Sequence, residues 1–416
     1  MMRSRTLAAA AAAVFTALAI SACQPISPAA RIEWPLQAAG KTPVRNLDDS
    51  CVQDPSPATD YFPQKLQFTR STQLSVAYGP NYKRLHFRPA VNPAQTQEFL
   101  FVQCGTPVPE HATHTVVVQV PVRRIVTGNM AIHGALDELG LVDRLAGTQS
   151  LRSISVPSIQ ARVAQGLVHE VGGDAHGSIE GIIAIAPEVF LTFYSAYPEA
   201  NMHPQLQALG VRAIPQADHH EPHPLGRAEW LKLLALMTNR ESAAQALFDR
   251  IEARYAHIAA VASTAPYRPL VMGGFAAGRD SFEIFGGANQ RARLIADAGG
   301  RPIAHDGHPG SFVLTPFEAI YARGVDAPVW LGAAPGSASV EDLISRNALH
   351  GWFRASRERA VFAWDRGYTG AWQFPSNEVG MTQPHVFLNE AVRALYPELT
   401  PQLPPVDSHG FIRQLP

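Results

Sequence analysis

Residues 227–262 read RAEWLKLLALMTNRESAAQALFDRIEARYAHIAAVA. Trp230, Leu233, Leu234, Met237, Ala244, Leu247, Phe248, Ile251 and Tyr255 recur at helical spacing with no proline between them, so the pattern predicts one long helix. On either side, short apolar runs alternate with helical ones. Upstream, Arg124–Thr127, Leu145–Thr148, Val189–Phe193 and Val211–Ile214 read as strands. Met130–Leu139, Leu206–Leu209 and Ser178–Ala186 read as helices, the last capped by Ser178 and stopped by Pro187. Downstream, Leu270–Gly273, Val329–Leu331 and Ala360–Ala363 are strand-like. Asn289–Ala298, Pro316–Arg323, Ser339–Ser345 and Gln383–Tyr396 are helical. This alternation means an α/β protein: two α/β lobes, 121–225 and 264–416, joined by one long rigid helix over 226–263.

The lobes echo one another. Ser178-Ile179-Glu180 leads through a short helix to the buried run Val189–Phe193, and Thr315-Pro316-Phe317-Glu318 leads likewise to Val329–Leu331. Such self-similarity points to paired lobes. Ahead of them, Leu66–Arg70, Leu74–Tyr78, Lys83–Phe87, Glu98–Gln103 and Thr115–Val120 are strand-like runs separated by turn formers. They predict a small antiparallel β appendage over 51–120.

Residues 1–23 carry Arg3 and Arg5, the apolar run Leu7–Ile20, and Ile20-Ser21-Ala22-Cys23. Small residues before a cysteine after a short apolar core read as a lipoprotein signal, with Cys23 as the lipidation site. The apolar run is short against the ~20 residues needed to span a bilayer. Residues 24–50, rich in Pro, Ala and Gly at their start, read as a tether. This places the protein in the periplasm or at the cell surface, lipid-anchored to a membrane. Cys51 and Cys104 then remain, as a disulfide in an oxidising compartment or as two free buried thiols. With 34 basic and 35 acidic residues the net charge is -1, which lacks the basic excess that nucleic acid or an anionic membrane surface requires.

Taken in order, Ala186-Pro187-Glu188-Val189, Leu206-Gln207-Ala208-Leu209-Gly210-Val211, the long helix, Asp297-Ala298-Gly299-Gly300 and Gln383-Pro384-His385-Val386-Phe387-Leu388 resemble periplasmic solute-binding proteins of the iron-siderophore and vitamin B12 class, which serve ABC importers. The resemblance runs from Val122 to Leu399; the 51–120 segment resembles an extension found in one branch. It implies a monomeric receptor that captures an iron-siderophore, corrinoid, heme or related metal chelate, carries no intrinsic cofactor, and performs no catalysis. It implies partners as well: a permease dimer with ATPase subunits, docked through Glu180 on one lobe and Glu318 on the other.

In a two-lobed protein the ligand sits between lobes, at loops beyond the carboxyl ends of the strands. Those loops place Asn129, Ser150, Arg152, Tyr194 and Tyr197 on the first lobe, His219, His220 and His223 between the lobes, and Arg279, Phe282, Tyr368, Trp372 and Phe374 on the second. Flat rings suit a corrin, heme or chelate face, and Arg152 or Arg279 suits an anionic group. The histidines, with His305 and His308, leave a second reading open: a metal-dependent hydrolase or chelatase-like enzyme using the His clusters. No GxSxG, P-loop or HExxH motif accompanies them.

Overall fold

The structure, a computed structural model, describes residues 36–37, 43–172, 178–276, 281–304, 306–333, 335–368, 374–406 and 410–416. Residues from Glu33 to Pro416 form one compact unit. Cys23, Arg279, His305 and Trp372 lie outside the described residues. No helix among the described residues is long and apolar enough to cross a membrane.

Two five-stranded sheets form the lobes. The first runs in the order Ala213–Gln216, Val189–Phe193, Ile125–Thr127, Leu145–Thr148, His169–Glu170, all parallel. The second runs Arg301–Pro302, Leu270–Gly273, Val329–Ala333, Val361–Ala363, Arg413–Gln414, parallel except for the last strand. Their inner strands are near-continuous apolar runs, as parallel strands covered on both faces must be. That continuity is what made them legible: Leu145–Thr148, Val189–Phe193 and Leu270–Gly273 have the predicted limits.

The long helical pattern is realised in three pieces, Pro224–Glu229, Leu231–Thr238 and Glu241–Ala262. The last break has a specific cause. Lys83, from the N-terminal sheet, donates its ammonium to the Leu236 carbonyl at 2.7 Å and to Asn239 Oδ1 at 2.6 Å. In an unbroken helix the Leu236 carbonyl would accept the Arg240 N–H. That N–H goes instead to Ala235, and Asn239 turns left-handed at φ 60. Lys83 also pairs with Glu241, both fully buried, so a contact far away in sequence ends the helix. The rod between the lobes is the 22-residue helix Glu241–Ala262.

The N-terminal sheet has the order Leu74–Tyr78, Tyr82–Phe87, Gln97–Gln103, Val116–Val120. Its first three strands form the expected antiparallel meander; the fourth corrects the expectation, pairing in parallel with Gln97–Gln103 because the intervening loop returns the chain to the same end of the sheet. Leu66–Arg70, expected as a strand, is irregular. The amides of Thr69 and Arg70 turn to the Glu229 carboxylate rather than to a neighbouring strand. Cys51 and Cys104 form a disulfide with Cα atoms 4.9 Å apart. Leu85, Phe87, Phe99, Phe101 and Val118 share one continuous core with Trp230–Met237 and with both lobes, so the sheet is built into the body.

Candidate functional site

The parallel strands of both sheets aim their carboxyl ends at one cleft. Asn129 follows Ile125–Thr127, Gln149 follows Leu145–Thr148, Phe193 ends Val189–Phe193, and His219 follows Ala213–Gln216. From the second sheet come Phe275, Ala333 and Trp364, each at or just beyond a strand end. They line two adjoining cavities of about 370 and 220 Å³ that share Arg227, Gln290, Arg291 and Asn377. The larger faces the first lobe, with Asn129, Gln149, Asp218 and His219 in its wall. The smaller is walled by Phe275, Phe285, Phe312, Trp364, Phe374 and Phe387.

Arg291 stands where the cavities meet, on the first turn of the helix Gln290–Asp297 capped by Asn289. Its guanidinium lies 4.9 Å from the ring centre of Phe312, 5.1 Å from Trp364 and 5.7 Å from Phe285. Among the described residues no carboxylate pairs with it, and its Nε has no partner. Burial, and then the neighbouring Arg227, push it down to about 9, so it remains a cation at neutral pH. Arg227 is different: its Nε meets the buried Asp218 carboxylate at 2.9 Å. One cation is therefore neutralised, and the other is available to an anion.

The His219 ring stacks on Phe193 at 4.6 Å and lies 4.0 Å from His220. Burial first, then His220 and the two arginines, hold it well below the usual histidine range. A neutral imidazole with an unpartnered Nδ1 thus borders the cavity. His220 is buried behind it, both ring nitrogens unpartnered, and burial pushes it to about 4. His223 turns away, accepting the Leu225 amide as a helix cap, with its Nε2 3.4 Å from Asp297. The three histidines do not converge, and among the described residues no three His, Cys, Asp or Glu side chains come together to hold a metal ion.

The other expected residues scatter. Asn129 lines the larger cavity and caps the turn that follows it. Phe374 lines the smaller one and stacks on Tyr368 at 4.6 Å. Ser150 and Arg152 sit just past Gln149 and line neither cavity; Arg152 is exposed. Tyr194 is buried beneath the cleft, its hydroxyl donating to Gln95 at 2.7 Å. Tyr197 is 70% exposed. His308 accepts the Gly310 amide and lines neither cavity. Phe282 corrects an expectation outright. It lies on the strand Ser281–Ile284, whose inward face buries it against Phe317, Trp330 and Phe353 in the core of the second lobe. Sequence reasoning missed Arg227, Gln290, Arg291, Trp364 and Asn377. For Arg291 a signal existed: a cation in the first turn of a helix opposes the helix dipole and needs another reason to be there.

Glu180 and Glu318 are exposed in the first turns of Ile179–Ile185 and Phe317–Gly324, the helices leading into the inner strands Val189–Phe193 and Val329–Ala333.

A model of the periplasmic binding protein family matches residues 125–368, more than half of the chain, and leaves the N-terminal sheet outside. An uncharacterized lipoprotein of Methanocaldococcus jannaschii is 27% identical over 170 residues, 38% of this chain and 41% of that protein. The chain thus spans less than half the length of the curated relative it matches. Among solved structures, a periplasmic binding protein from Veillonella parvula superposes with a TM-score of 0.54 at 12% identity, over 78% of this chain and 94% of that one. A substrate-binding protein of an ABC transporter from Listeria monocytogenes gives 0.52 at 18% identity, over 66% and 99%. A periplasmic heme binding protein from Pseudomonas aeruginosa gives 0.51 at 18% identity, over 66% and 93%. At these identities the likeness is one of fold.

Proposed function

Since the chain belongs to the periplasmic binding protein family, we propose that it is an extracytoplasmic solute-binding protein of an ABC importer, capturing a metal chelate between its lobes for delivery to a permease. Iron-siderophores, hemes and corrinoids are the chelates that suit it. One observation carries this ligand class: Arg291, a cation without a carboxylate partner among the described residues, set against three aromatic rings in the cleft. A ligand with a flat apolar body and an acidic edge meets both demands, stacking on the rings while its anion takes the guanidinium. The neutral imidazole of His219 beside it suits a metal with an open coordination position. The solved heme binding protein from Pseudomonas aeruginosa supports the same class.

The enzyme reading loses ground because His223 is occupied as a helix cap and His220 is buried behind the wall, which leaves His219 as the one histidine at the cavity among the described residues. Glu180 and Glu318 supply the docking carboxylates, one on each lobe, for arginines of the permease dimer. Lipidation at Cys23 would hold the receptor, as a monomer, beside that importer.

The test is titration of the protein, produced from residue 24 onward, with ferric heme, a ferric hydroxamate, cyanocobalamin and ferric ion alone, followed by absorbance and tryptophan quenching. One-to-one saturation with one of the chelates is expected, and Arg291→Ala should weaken it about tenfold or more. Binding of ferric ion alone, steady turnover of a ligand, or an unaltered Arg291→Ala protein would overturn the reading.

A further inference from the structure

The N-terminal sheet lies outside the region that matches the family, and capture of a ligand as proposed makes no use of it. Its approach loop, residues 67–73, is nevertheless fixed by buried groups of the segment between the lobes. Glu229 accepts the backbone N–H groups of Thr69, Arg70 and Ser71 at 2.7–2.8 Å, and the Lys232 ammonium at 2.7 Å. Glu221 accepts the Ser71 hydroxyl at 2.5 Å, the Thr72 N–H at 2.9 Å, the Thr72 hydroxyl at 3.0 Å and the Trp230 indole at 2.9 Å. Gln73 donates to the Ala217 carbonyl at 3.0 Å. Both carboxylates are fully buried, and a buried charge persists only where donors satisfy it. The loop supplies most of those donors. It also presses close: a Cβ on Gly226 would come within 2.9 Å of the Arg70 carbonyl and 3.1 Å of Glu221.

The positions of these carboxylates matter. Glu221 stands two residues after His219, and Glu229 two residues after Arg227. The two fastenings therefore fall next to His219 and Arg227, which this segment sends into the cleft together with Asp218 and Pro224. We propose that loop 67–73 is a positioning element of the ligand site, holding His219 and Arg227 in place through Glu221 and Glu229. The proposal rests on reading the cleft as the ligand site. It assigns the N-terminal sheet a part in ligand recognition.

The test uses Ser71→Ala/Thr72→Val, two changes that touch no cleft residue. In hydrogen–deuterium exchange of the unliganded protein, amides over 218–223 and 225–229 should exchange about tenfold faster than in the wild type, the worth of roughly one buried hydrogen bond. The strands Leu270–Gly273 and Val329–Ala333 of the second lobe should keep their protection. Affinity for ferric heme, or for whichever chelate the wild type binds, should fall by a similar factor, and Thr72→Ser, which keeps both donors, should behave as wild type. Unchanged exchange over 218–229, a uniform rise across both lobes, or local opening with unaltered affinity would each overturn the proposal. Should the double variant fail to fold, Thr72→Val alone carries the same comparison. A wild type that binds no chelate would refute the ligand class, while the exchange result still decides whether the loop fastens the segment.

Discussion

The His133 imidazole on the first lobe and the Glu378 carboxylate on the second meet at 2.9 Å, and neither is exposed to solvent. The far nitrogen of His133 lies 3.1 Å from the Thr127 hydroxyl and 3.2 Å from that of Thr148, at the ends of two strands. The other oxygen of Glu378 accepts the Ser155 N–H at 2.5 Å and the Val156 N–H at 3.2 Å. Nearby, the Thr382 hydroxyl donates to Glu138 at 2.7 Å. The back of the cleft is thus bolted across the lobes beside Asn377, which lines it.

Glu378→Ala should strip these donors of their acceptor and cost about 3 kcal/mol, read from urea denaturation. Because Phe374 and Asn377 sit on the same short segment, chelate affinity should fall as well. With the bolt and the rod Glu241–Ala262 intact, the wild type should change its radius of gyration by less than about 1 Å on binding. Small-angle scattering checks this, and a large compaction would contradict it.

Stability should decline on the acid side. His203 and His220 are buried, and burial holds both at about 4 against an ordinary 6.5. Between those values the unfolded chain binds protons that the folded one refuses, so the contribution is complete above about 6.5 and is lost as pH falls toward 4. Each histidine accounts for up to about 3 kcal/mol across that window. His220→Phe, which removes two unpartnered nitrogens, should flatten the slope in denaturation midpoints between pH 7.5 and 4.5.

Glu180→Ala combined with Glu318→Ala should abolish uptake in cells while leaving chelate affinity at the wild-type value, because both carboxylates lie outside the cleft. Normal uptake by the double variant would remove them from docking.

Cys51→Ser/Cys104→Ser opens a link across a sequence separation of 53. The loss should be about 4 kcal/mol on the chain-entropy account, seen as a lower unfolding midpoint. The wild type, denatured without reductant, should show neither of these thiols to a labelling reagent.

Much of the fold was legible because its signals are local. Ser178, Asn289 and Ser339 each cap a helix by accepting an amide two or three residues on, as their positions before apolar runs suggest. The interruption at Asn239 was not legible, since it depends on the ammonium of Lys83 arriving from another sheet. The cleft was half legible. The rule that ligands meet the carboxyl ends of strands found Asn129, His219 and Phe374. It misplaced Phe282 because the polar–apolar alternation of Ser281-Phe282-Glu283-Ile284 spans only four residues, and its pairing with Val313–Pro316, about thirty residues on, is not visible locally. It missed Arg291, whose role depends on aromatic rings gathered from three separate segments.

The strand Arg413–Gln414 also bears on how the protein behaves in a crowd. It pairs antiparallel with Val361–Ala363, whose backbone groups would otherwise stand open at the rim of an apolar sheet, a template for adhesion to a second molecule. Asp365 grips Arg413 at 2.9 Å, and Phe411 is buried against the Phe387 ring at 4.4 Å. Phe387 also walls the smaller cavity. One side chain therefore both walls the cavity and backs the residue that leads into the covering strand, and a substitution that enlarges the cavity there would risk uncovering the sheet's edge.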